Sequence, residues 1–311
     1  MRNKVADLAT VIEERKPDVI LGNESWLRLD INSNEIFPRN YNVFRKDRVN
    51  RAGGGVFQAV EKDIIVNHRD DFDSNCEILW TQCQVQSKKS KSILLGSFSR
   101  PHSSDMASLI ELDVYLSKIG NLINTNSVIL GVDFNAPNIS WGSNQVLDHL
   151  TTSERLMEMA NEYVLEPLVK EPTRIHGNTR NILDLVFTNN NTIVNNVKII
   201  PGISDHDIVF FTVNLAPKKK HLAKRKIYIR KRTDQEKLNQ QLGSFAAQFE
   251  SSTTNMSVDG KWKVFAQTIT SIMDDCIPHK LSRSRSNLPW FNRSLRKQTR
   301  KKRRLHNKAK K

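Results

Sequence analysis

Long apolar runs, a secretion signal and a cysteine framework are all missing from this 311-residue sequence. No segment reaches the roughly twenty consecutive apolar residues that a membrane helix needs, and the N-terminal residues MRNKVADL lack the apolar core of a signal peptide. The three cysteines, Cys76, Cys83 and Cys276, form no C-x-x-C pair and have no histidine close enough to suggest zinc. We therefore expect an intracellular protein of a reducing compartment, nuclear or cytoplasmic, without a membrane partner.

Charge is unevenly distributed along the chain. The net charge of +15 comes from the last third, because residues 218–311 contain 26 Lys and Arg against 6 Asp and Glu. Residues 1–217 carry 22 basic and 27 acidic side chains, a net charge of −5. A mildly acidic domain followed by a basic arm is typical of proteins that contact nucleic acid, although a solvated tail or a localisation signal has the same composition. We predict a domain of residues 1–216 and a basic, largely helical connector of residues 217–311.

Short apolar runs bounded by turn residues dominate the predicted domain. The strand-like runs are Asp18–Gly22, Tyr41–Lys46, Val56–Val60, Ile64–Val66, Glu77–Val85, Ser92–Phe98, Ile182–Thr188 and Ile208–Val213. We interpret Arg51–Gly55 as a turn and not as a phosphate-binding loop, because neither G-K-[ST] nor a helix follows. We expect Val56–Val60 to form a hairpin with Ile64–Val66. Because strands and helices do not alternate, two sheets packed face to face with helices outside fit better than a doubly wound parallel sheet.

The stretch V-I-L-G-V-D-F-N-A-P at Val128–Pro137 places polar side chains at the end of a buried strand. Asp133 and Asn135 are two residues apart, so on extended backbone their side chains leave the same face. The carboxylate can accept a proton or hold a cation, and the amide can donate to a phosphate oxygen. Asp, Asn and Pro are also common turn residues, so a purely structural turn is the alternative.

Further polar residues occur at the ends of other predicted strands. Glu24 is a candidate metal ligand, or else a surface carboxylate. Asp184 interrupts an apolar run, where a carboxylate costs several kcal/mol unless it is paired, so we expect it to have a dedicated partner. His206 follows Asp205 and precedes a strand. It is either a plain loop histidine or placed to meet Asp184 and Asp133 across a sheet.

Four motifs occur in an order that resembles the endonuclease/exonuclease/phosphatase superfamily: N-E-S-W-L at Asn23–Leu27, G-V-D-F-N-A-P at Gly131–Pro137, I-L-D-L-V-F-T at Ile182–Thr188 and S-D-H at Ser204–His206. R-A-G-G-G-V at Arg51–Val56 and the basic segment Pro289–His306 are similar to the apurinic-type endonuclease domain of non-LTR (LINE-like) retrotransposons and its connector to the reverse transcriptase. The resemblance covers nearly the whole chain. It implies a four-layered α/β/β/α sandwich of two mostly antiparallel sheets, and Mg²⁺-dependent phosphodiester hydrolysis with Mn²⁺ as the alternative ion.

The resemblance also implies a role for each residue around the metal. Glu24 would hold the ion, with Asp205 near it. Asp133 would orient or deprotonate the attacking water, and Asn135 would contact the scissile phosphate. Phosphodiester hydrolysis needs these elements, namely a cation, an aligned water and donors around the phosphorus.

The same resemblance implies that Asp184 pairs with His206, which would stabilise the charge on the phosphate. An imidazole oriented by a buried carboxylate keeps its positive charge at neutral pH, so the expectation is physically consistent. Arg100, Thr173 and Asn178 are looser candidates for contacts to the DNA backbone.

Two departures from the family pattern lead to further expectations. The family begins with a strand that bears a metal-binding Asn just before the helix that here starts near Arg2. We therefore expect the sheet to lack a strand, with an open gap or edge, and the metal site to lack one supporting group. A Tyr is expected in the strand-end motif that here reads G-S-F-S-R-P, where Ser99 takes its place. The loss of a phenol that contacts phosphate should weaken catalysis.

The leading hypothesis is a Mg²⁺-dependent DNA endonuclease domain of retrotransposon origin, which also contacts DNA, or the RNA of its element, through the basic connector. The second interpretation is a catalytically impaired relic that still binds nucleic acid. The third is a phosphatase or phosphodiesterase of the same fold acting on a phospholipid. The basic connector and the lack of a membrane-binding stretch argue against this third interpretation.

Overall fold

A computed structural model of the chain describes residues 2–48, 53–72, 74–86, 92–123, 125–147, 151–219, 226–281 and 292–309. The chain forms two compact units, one of Met1–His221 with Ser286–Lys311 and one of Leu222–Arg285. The basic residues 292–309 therefore pack with the N-terminal unit. The predicted functional boundary between residues 216 and 217 stays a prediction. None of the helices in the described ranges is both long and apolar enough to cross a bilayer.

The helices and strands of the described ranges are numbered in chain order. The helices are α1 (Val5–Arg15), α2 (Ser33–Ile36), α3 (Met106–Ile123), α4 (Thr151–Glu162), α5 (Gln235–Thr253), α6 (Val258–Cys276) and α7 (Arg293–Ala309). The strands are β1 (Val19–Gly22), β2 (Tyr41–Lys46), β3 (Val56–Glu61), β4 (Val66–His68), β5 (Ile78–Gln84), β6 (Ser92–Phe98), β7 (Ser127–Asp133), β8 (Ile139–Ser140), β9 (Gln145–Val146), β10 (Glu166–Pro167), β11 (Arg174–His176), β12 (Thr179–Asn181), β13 (Asp184–Thr188), β14 (Val194–Ile200), β15 (Ile208–Val213), β16 (Lys226–Tyr228) and β17 (His279–Leu281).

Two sheets form the centre of the larger unit. One has six strands in the order β10-β13-β7-β6-β5-β4, antiparallel except for the parallel pair β6–β7. The other has the antiparallel order β1-β3-β2. Gln58 of β3 links the two sheets, because its side-chain amide donates to the carbonyl oxygens of Leu79 and Leu95 at 2.8 and 3.0 Å. The predicted mixed α/β class is confirmed, with mostly antiparallel sheets.

The helices bury the apolar faces that their spacing predicts. Leu8 and Ile12 of α1 pack with Phe57 of β3 in one buried cluster. α3 and α4 contribute their buried leucines to the larger cluster around the six-stranded sheet. α1 stops where Lys16 adopts a left-handed backbone (φ 48°), and Pro17 cannot continue the helix.

The predicted hairpin of Val56–Val60 with Ile64–Val66 is wrong. β3 pairs with β1 and β2, whereas β4 pairs with β5 in the other sheet. The short connection between β3 and β4 therefore crosses from one sheet to the other. Residues 53–55 of the predicted glycine turn directly precede β3, whereas its residues 51 and 52 lie outside the described ranges. Sequence alternation predicts strands but not which edges meet, because edge pairing depends on how the whole chain packs.

Among the described residues, β1 has β3 as its one strand neighbour, and β15 has β14 as its one strand neighbour. A cleft of about 1610 Å³ lies between β1 and β15 and reaches the polar strand ends of the six-stranded sheet. We call it the β1–β15 cleft.

The smaller unit is a pair of helices with a two-stranded ribbon. α5 and α6 lie within the connector predicted to be largely helical, and Asp234 and Ser257 cap their N-termini through hydrogen bonds to backbone N–H groups. β16 pairs with β17 in antiparallel register. Its buried cluster is small and centres on Ile272, Cys276 and Ile277.

Candidate active site

β7 ends in a sharply bent backbone. Asp133 is its last residue, Val132 has φ 104°, and Asn135 has φ 46°. Positive φ is costly for a β-branched residue, and such strained positions cluster at functional sites. The backbone N–H of Asn135 donates to Asp133 Oδ1 at 2.9 Å. The expectation of extended backbone through Asn135 is therefore wrong, because the strand stops at Asp133 and a turn follows.

Asp133 faces a second carboxylate across the six-stranded sheet. β7 and β13 are antiparallel, and Asp133 lies directly opposite Asp184, the first residue of β13. Like charges opposite one another on neighbouring strands are destabilising. Burial, followed by the charge of Asp184, raises the pKa of Asp133 to about 6, and the charge of Glu24 acts in the same direction. This carboxyl group therefore changes its protonation close to neutral pH.

His206 is the partner that Asp184 was expected to need. Its Nδ1 lies 2.8 Å from Asp184 Oδ2, so the ring donates the Nδ1 proton to the carboxylate. This hydrogen bond raises the pKa of His206 above its usual value, although burial acts in the opposite direction. His206 precedes β15, which lies outside the six-stranded sheet. The contact therefore joins the segment before β15 to β13, the strand that carries Asp184.

Thr173 is fully buried and holds the start of β13 in place. Its Oγ1 accepts hydrogen bonds from the backbone N–H groups of Leu183 and Asp184 at 3.1 and 3.0 Å. Its carbonyl oxygen accepts from the N–H of Asp207 at 2.7 Å. A buried side chain does not reach DNA, so the structure contradicts the predicted direct contact. Thr173 instead positions the segments that carry Asp184 and His206.

Arg100 has a comparable supporting role below the turn after β7. Its guanidinium is only 1% exposed and donates to the carbonyl oxygens of Phe134 and Asn135 at 2.7 and 2.8 Å. Its backbone N–H donates to the carbonyl oxygen of Asp133 at 2.9 Å. Burial lowers the pKa of Arg100, while the nearby charges of Asp105 and Asp133 raise it. The predicted contact of Arg100 with the DNA backbone is contradicted for the same reason as that of Thr173.

Glu24 lines the same cleft and is held by two donors. Its Oε2 accepts from the indole Nε1–H of Trp26 at 2.6 Å and from the backbone N–H of Gly54 at 3.0 Å. Glu24 and Trp26 both have left-handed backbone, with φ 45° and 53°. Gly54 has φ 70°, which glycine adopts at no steric cost. The sequence interpretation missed both donors, although Trp26 lies in the same N-E-S-W-L motif as Glu24.

The remaining residues singled out in the sequence are Asp205, Asn178 and Ser99. Asp205 is exposed and pairs with Arg174, whose Nη2 lies 2.8 Å from its Oδ2. Asn178 is exposed at the tip of the β11–β12 hairpin. Ser99 Oγ accepts a hydrogen bond from the side-chain amide of Asn23 at 3.4 Å. Arg174 and Asn23 were not predicted as site residues, although Arg174 follows Thr173 directly and Asn23 is the first residue of the N-E-S-W-L motif.

Comparisons with known proteins identify the fold. Residues 93–210 match the family described as endonuclease-reverse transcriptase. The endonuclease domain of TRAS1, a telomere-specific non-LTR retrotransposon, is 20% identical, with a TM-score of 0.53 over 69% of this chain and 94% of that one. The present chain has the endonuclease/exonuclease/phosphatase (EEP) fold.

Other solved structures match with lower TM-scores. An endonuclease/exonuclease/phosphatase family protein from Leptotrichia buccalis is 16% identical, with a TM-score of 0.48 over 68% of this chain and 92% of that one. An AP endonuclease from Archaeoglobus fulgidus is 12% identical, with a TM-score of 0.46 over 68% of this chain and 95% of that one. No curated protein matches the sequence.

Nucleases of the EEP fold generally use divalent metal ions. In the described ranges, no three His, Cys, Asp or Glu side chains are grouped closely enough to hold a metal by themselves. Glu24 and Asp133 are nevertheless hard oxygen donors on one cleft, and burial, followed by the charge of Asp184, raises the pKa of Asp133. Mg²⁺ is usually held by one or two carboxylates together with water and substrate phosphate, so these residues fit such an ion.

Proposed function

We propose that this chain is a divalent-metal-dependent endonuclease that nicks DNA. The observation that carries the proposal is the arrangement of Asp133, Asp184 and His206 on a cleft that Glu24 also lines. It combines a proton acceptor of near-neutral pKa with an oriented cationic donor. These are the groups that phosphodiester hydrolysis requires of a protein besides the metal. The family match of residues 93–210 supports DNA as the substrate.

Each residue has a role that follows from its surroundings. Asp133 accepts a proton from the attacking water, and its pKa of about 6 makes it more basic than an ordinary carboxylate while leaving it mainly ionised at neutral pH. His206 uses Nδ1 to bind Asp184 and presents its other ring nitrogen to a phosphate oxygen. Asn135 holds its side-chain amide by one long bond to Pro101, at 3.3 Å, and can turn to the phosphate.

Glu24 would hold the metal ion, Mg²⁺ or Mn²⁺, with Asp205 as a further carboxylate. The ion when bound would supply positive charge at the scissile phosphate. Asp205 must first leave Arg174, with which it pairs at 2.8 Å. We therefore expect weaker metal affinity than in a site whose carboxylates are all free.

A catalytically impaired nucleic-acid-binding protein is the second candidate, and one observation favours it. Ser99 occupies the position where the family has a phenol, and its hydroxyl is bonded to Asn23 at 3.4 Å. A serine hydroxyl extends less far than a tyrosine hydroxyl, so this position supplies no comparable contact to phosphate.

The basic helix α7 has two different faces. One face packs on α1, where Arg296 lies 2.7 Å from Glu13, and Arg300 and Arg303 lie 3.5 and 2.8 Å from Glu14. The positive charge of this face is therefore largely neutralised within the unit.

The outward face of α7 carries exposed cations that make no ion pair within the described residues: Arg293, Lys297, Lys301, Arg304 and Lys308. They recur about once per helical turn, and at 1.5 Å per residue the row is about 22 Å long. A row of unpaired cations complements the phosphate backbone of a nucleic acid. We propose that this outward face of α7 contributes the nucleic-acid contact predicted for the basic connector.

Nicking of supercoiled plasmid tests the proposed activity. We expect relaxation of the plasmid with Mg²⁺ or Mn²⁺ and none with EDTA. Asp133→Ala and His206→Ala should abolish it, whereas Asp30→Ala, which removes an exposed carboxylate outside the cleft, should not. Thermal unfolding of every variant shows whether it is folded. Absence of cleavage by well-folded wild-type protein would instead support the impaired relic.

A further inference from the structure

We propose that Arg303 of the basic helix α7 is a positioning residue for His206, so that α7 supports the candidate active site besides contacting nucleic acid. Arg303 reaches the segment of residues 201–207, which connects β14 to β15 and carries His206. We call this segment the His206 loop. The role rests on the proposed function, in which His206 presents a ring nitrogen to a phosphate oxygen.

Arg303 uses the two ends of its guanidinium on two different segments. Nη1 donates to Glu14 Oε2 of α1 at 2.8 Å, and Nη2 donates to the carbonyl oxygen of Pro201 at 3.1 Å. The Arg303 side chain is only 13% exposed, so water competes little for either hydrogen bond. A guanidinium holds its donors in a rigid, planar fork, which a lysine ammonium does not reproduce. Arg303 therefore fixes the start of the His206 loop relative to α1.

The start of the His206 loop lies directly against His206 itself. Gly202 is buried, and a Cβ atom at this position would overlap the carbonyl oxygen of His206. The backbone N–H of Gly202 donates to Asp207 Oδ1 at 3.1 Å. The carbonyl of Pro201 and the N–H of Gly202 belong to one planar peptide group, so Arg303 and Asp207 hold the same rigid unit. A shift of this peptide group therefore displaces the backbone of His206.

The two ends of the His206 loop are held by different contacts. At its end, the backbone N–H of Asp207 donates to the carbonyl oxygen of Thr173 at 2.7 Å. Near its start, the partly buried Ile203 packs against the apolar cluster between α1 and β3. Apolar packing is not directional, whereas a hydrogen bond is. Arg303 therefore supplies the orientation of the peptide group that touches His206.

α7 thus makes contacts on two sides that serve the same reaction. Arg303 faces the His206 loop, and the next residue, Arg304, belongs to the outward face that we propose contacts nucleic acid. Because both residues lie in one helix, a bound phosphate backbone and His206 are held by the same rigid element. The basic connector is therefore part of the catalytic unit and not only a tether to its substrate.

The test compares Arg303→Gln with Arg300→Gln in the full chain. Both changes remove a cation that pairs with Glu14, but within the described residues only Arg303 of these two also bonds to the His206 loop. A third variant, Arg303→Lys, keeps the charge and removes the fork. Amide hydrogen exchange at residues 202 and 207 is measured by NMR without metal and without DNA, so this measurement does not depend on nuclease activity. Thermal unfolding shows whether each variant is folded.

We expect Arg303→Gln to speed exchange at residues 202 and 207 by roughly fivefold or more, and Arg300→Gln to leave it within about twofold of the wild type. Arg303→Lys should keep the pair with Glu14 yet exchange as fast as Arg303→Gln. In plasmid nicking, Arg303→Gln should lower kcat roughly 10- to 100-fold and leave KM unchanged, because a misplaced group slows the chemical step and not binding.

Unchanged exchange in Arg303→Gln would overturn the proposal, whatever the nicking activity. Equal effects of the Arg300 and Arg303 variants would also overturn it, because docking of α7 as a whole would then be the cause. Wild-type exchange in Arg303→Lys would refute the role of the fork. Faster exchange with an unchanged kcat would refute the link to catalysis. If the wild type does not nick while exchange responds as expected, the nuclease proposal fails and the positioning of His206 is still supported.

Discussion

The outward face of α7 leads to a quantitative prediction about salt dependence. Replacing Lys297, Lys301 and Arg304 with Gln removes three exposed cations that make no ion pair within the described residues. Suppose that each of these three cations contacts one phosphate. A plot of the logarithm of the association constant for duplex DNA against the logarithm of the salt concentration then becomes shallower by about 2.7, since each contact contributes about 0.9 to its slope. At 0.1 M salt the same loss corresponds to a roughly 10²- to 10³-fold weaker affinity.

The face of α7 that packs on α1 supplies a matched control. Replacing Arg296, Arg300 and Arg303 with Gln changes the net charge by the same amount, but these cations already face Glu13 and Glu14. We expect a change in slope below about 1, because these side chains do not contact phosphates. Thermal stability should fall modestly instead, since ion pairs near the surface contribute roughly 0–1 kcal/mol each.

Fluorescence anisotropy of a labelled duplex between 50 and 300 mM salt measures both slopes. Equal changes in the two triple variants would show that net charge alone matters and would refute the assignment to one face. An unchanged slope in the outward variant would refute the contact itself.

Three further predictions concern the candidate active site. Asp133→Asn should abolish nicking yet stabilise the protein at pH 7 by on the order of 2–3 kcal/mol in urea unfolding. The folded pKa of about 6 lies above the unfolded value of 3.8, so wild-type stability falls as pH rises from about 4 to 6; a variant that is less stable would contradict this. The pKa of His206, measured by NMR, should lie above its usual value in the wild type and drop in Asp184→Asn, and an unchanged value would show that the hydrogen bond is absent in solution. That bond stabilises the fold below the unfolded pKa of His206, and its contribution is lost as pH rises through the folded one. Arg100→Ala should destabilise the chain by about 2–4 kcal/mol in the same urea assay, because it leaves the carbonyl oxygens at residues 134 and 135 without their donor; a loss below about 0.5 kcal/mol would contradict the supporting role.

The sequence located the strand ends of the site because their signals are local. Apolar runs and the turn residues after them predict where β7 and β13 lie, and with them Asp133 and Asp184. A carboxylate inside an apolar run requires a partner, and the pairing of Asp184 with His206 satisfies that physical requirement.

Other predictions failed where the answer depends on burial or on backbone angle. Arg100 and Thr173 stand next to motifs and look like surface donors in the sequence, but both are buried and bind backbone groups. Asn135 has a left-handed backbone that no spacing rule predicts. Whether a polar residue points to solvent or to a neighbouring loop is decided by the packing of the segments around it.

The amount of charge in a segment follows from its sequence, whereas the pairing of that charge depends on the tertiary structure. Composition alone determined that the positive charge lies in the last third of the chain and that α7 is strongly basic. Only the tertiary structure decided which cations are neutralised, because Arg303 meets Glu14 across 289 positions of sequence. Helical periodicity defines the faces of α7, but the face that remains free depends on the acidic helix against which it packs.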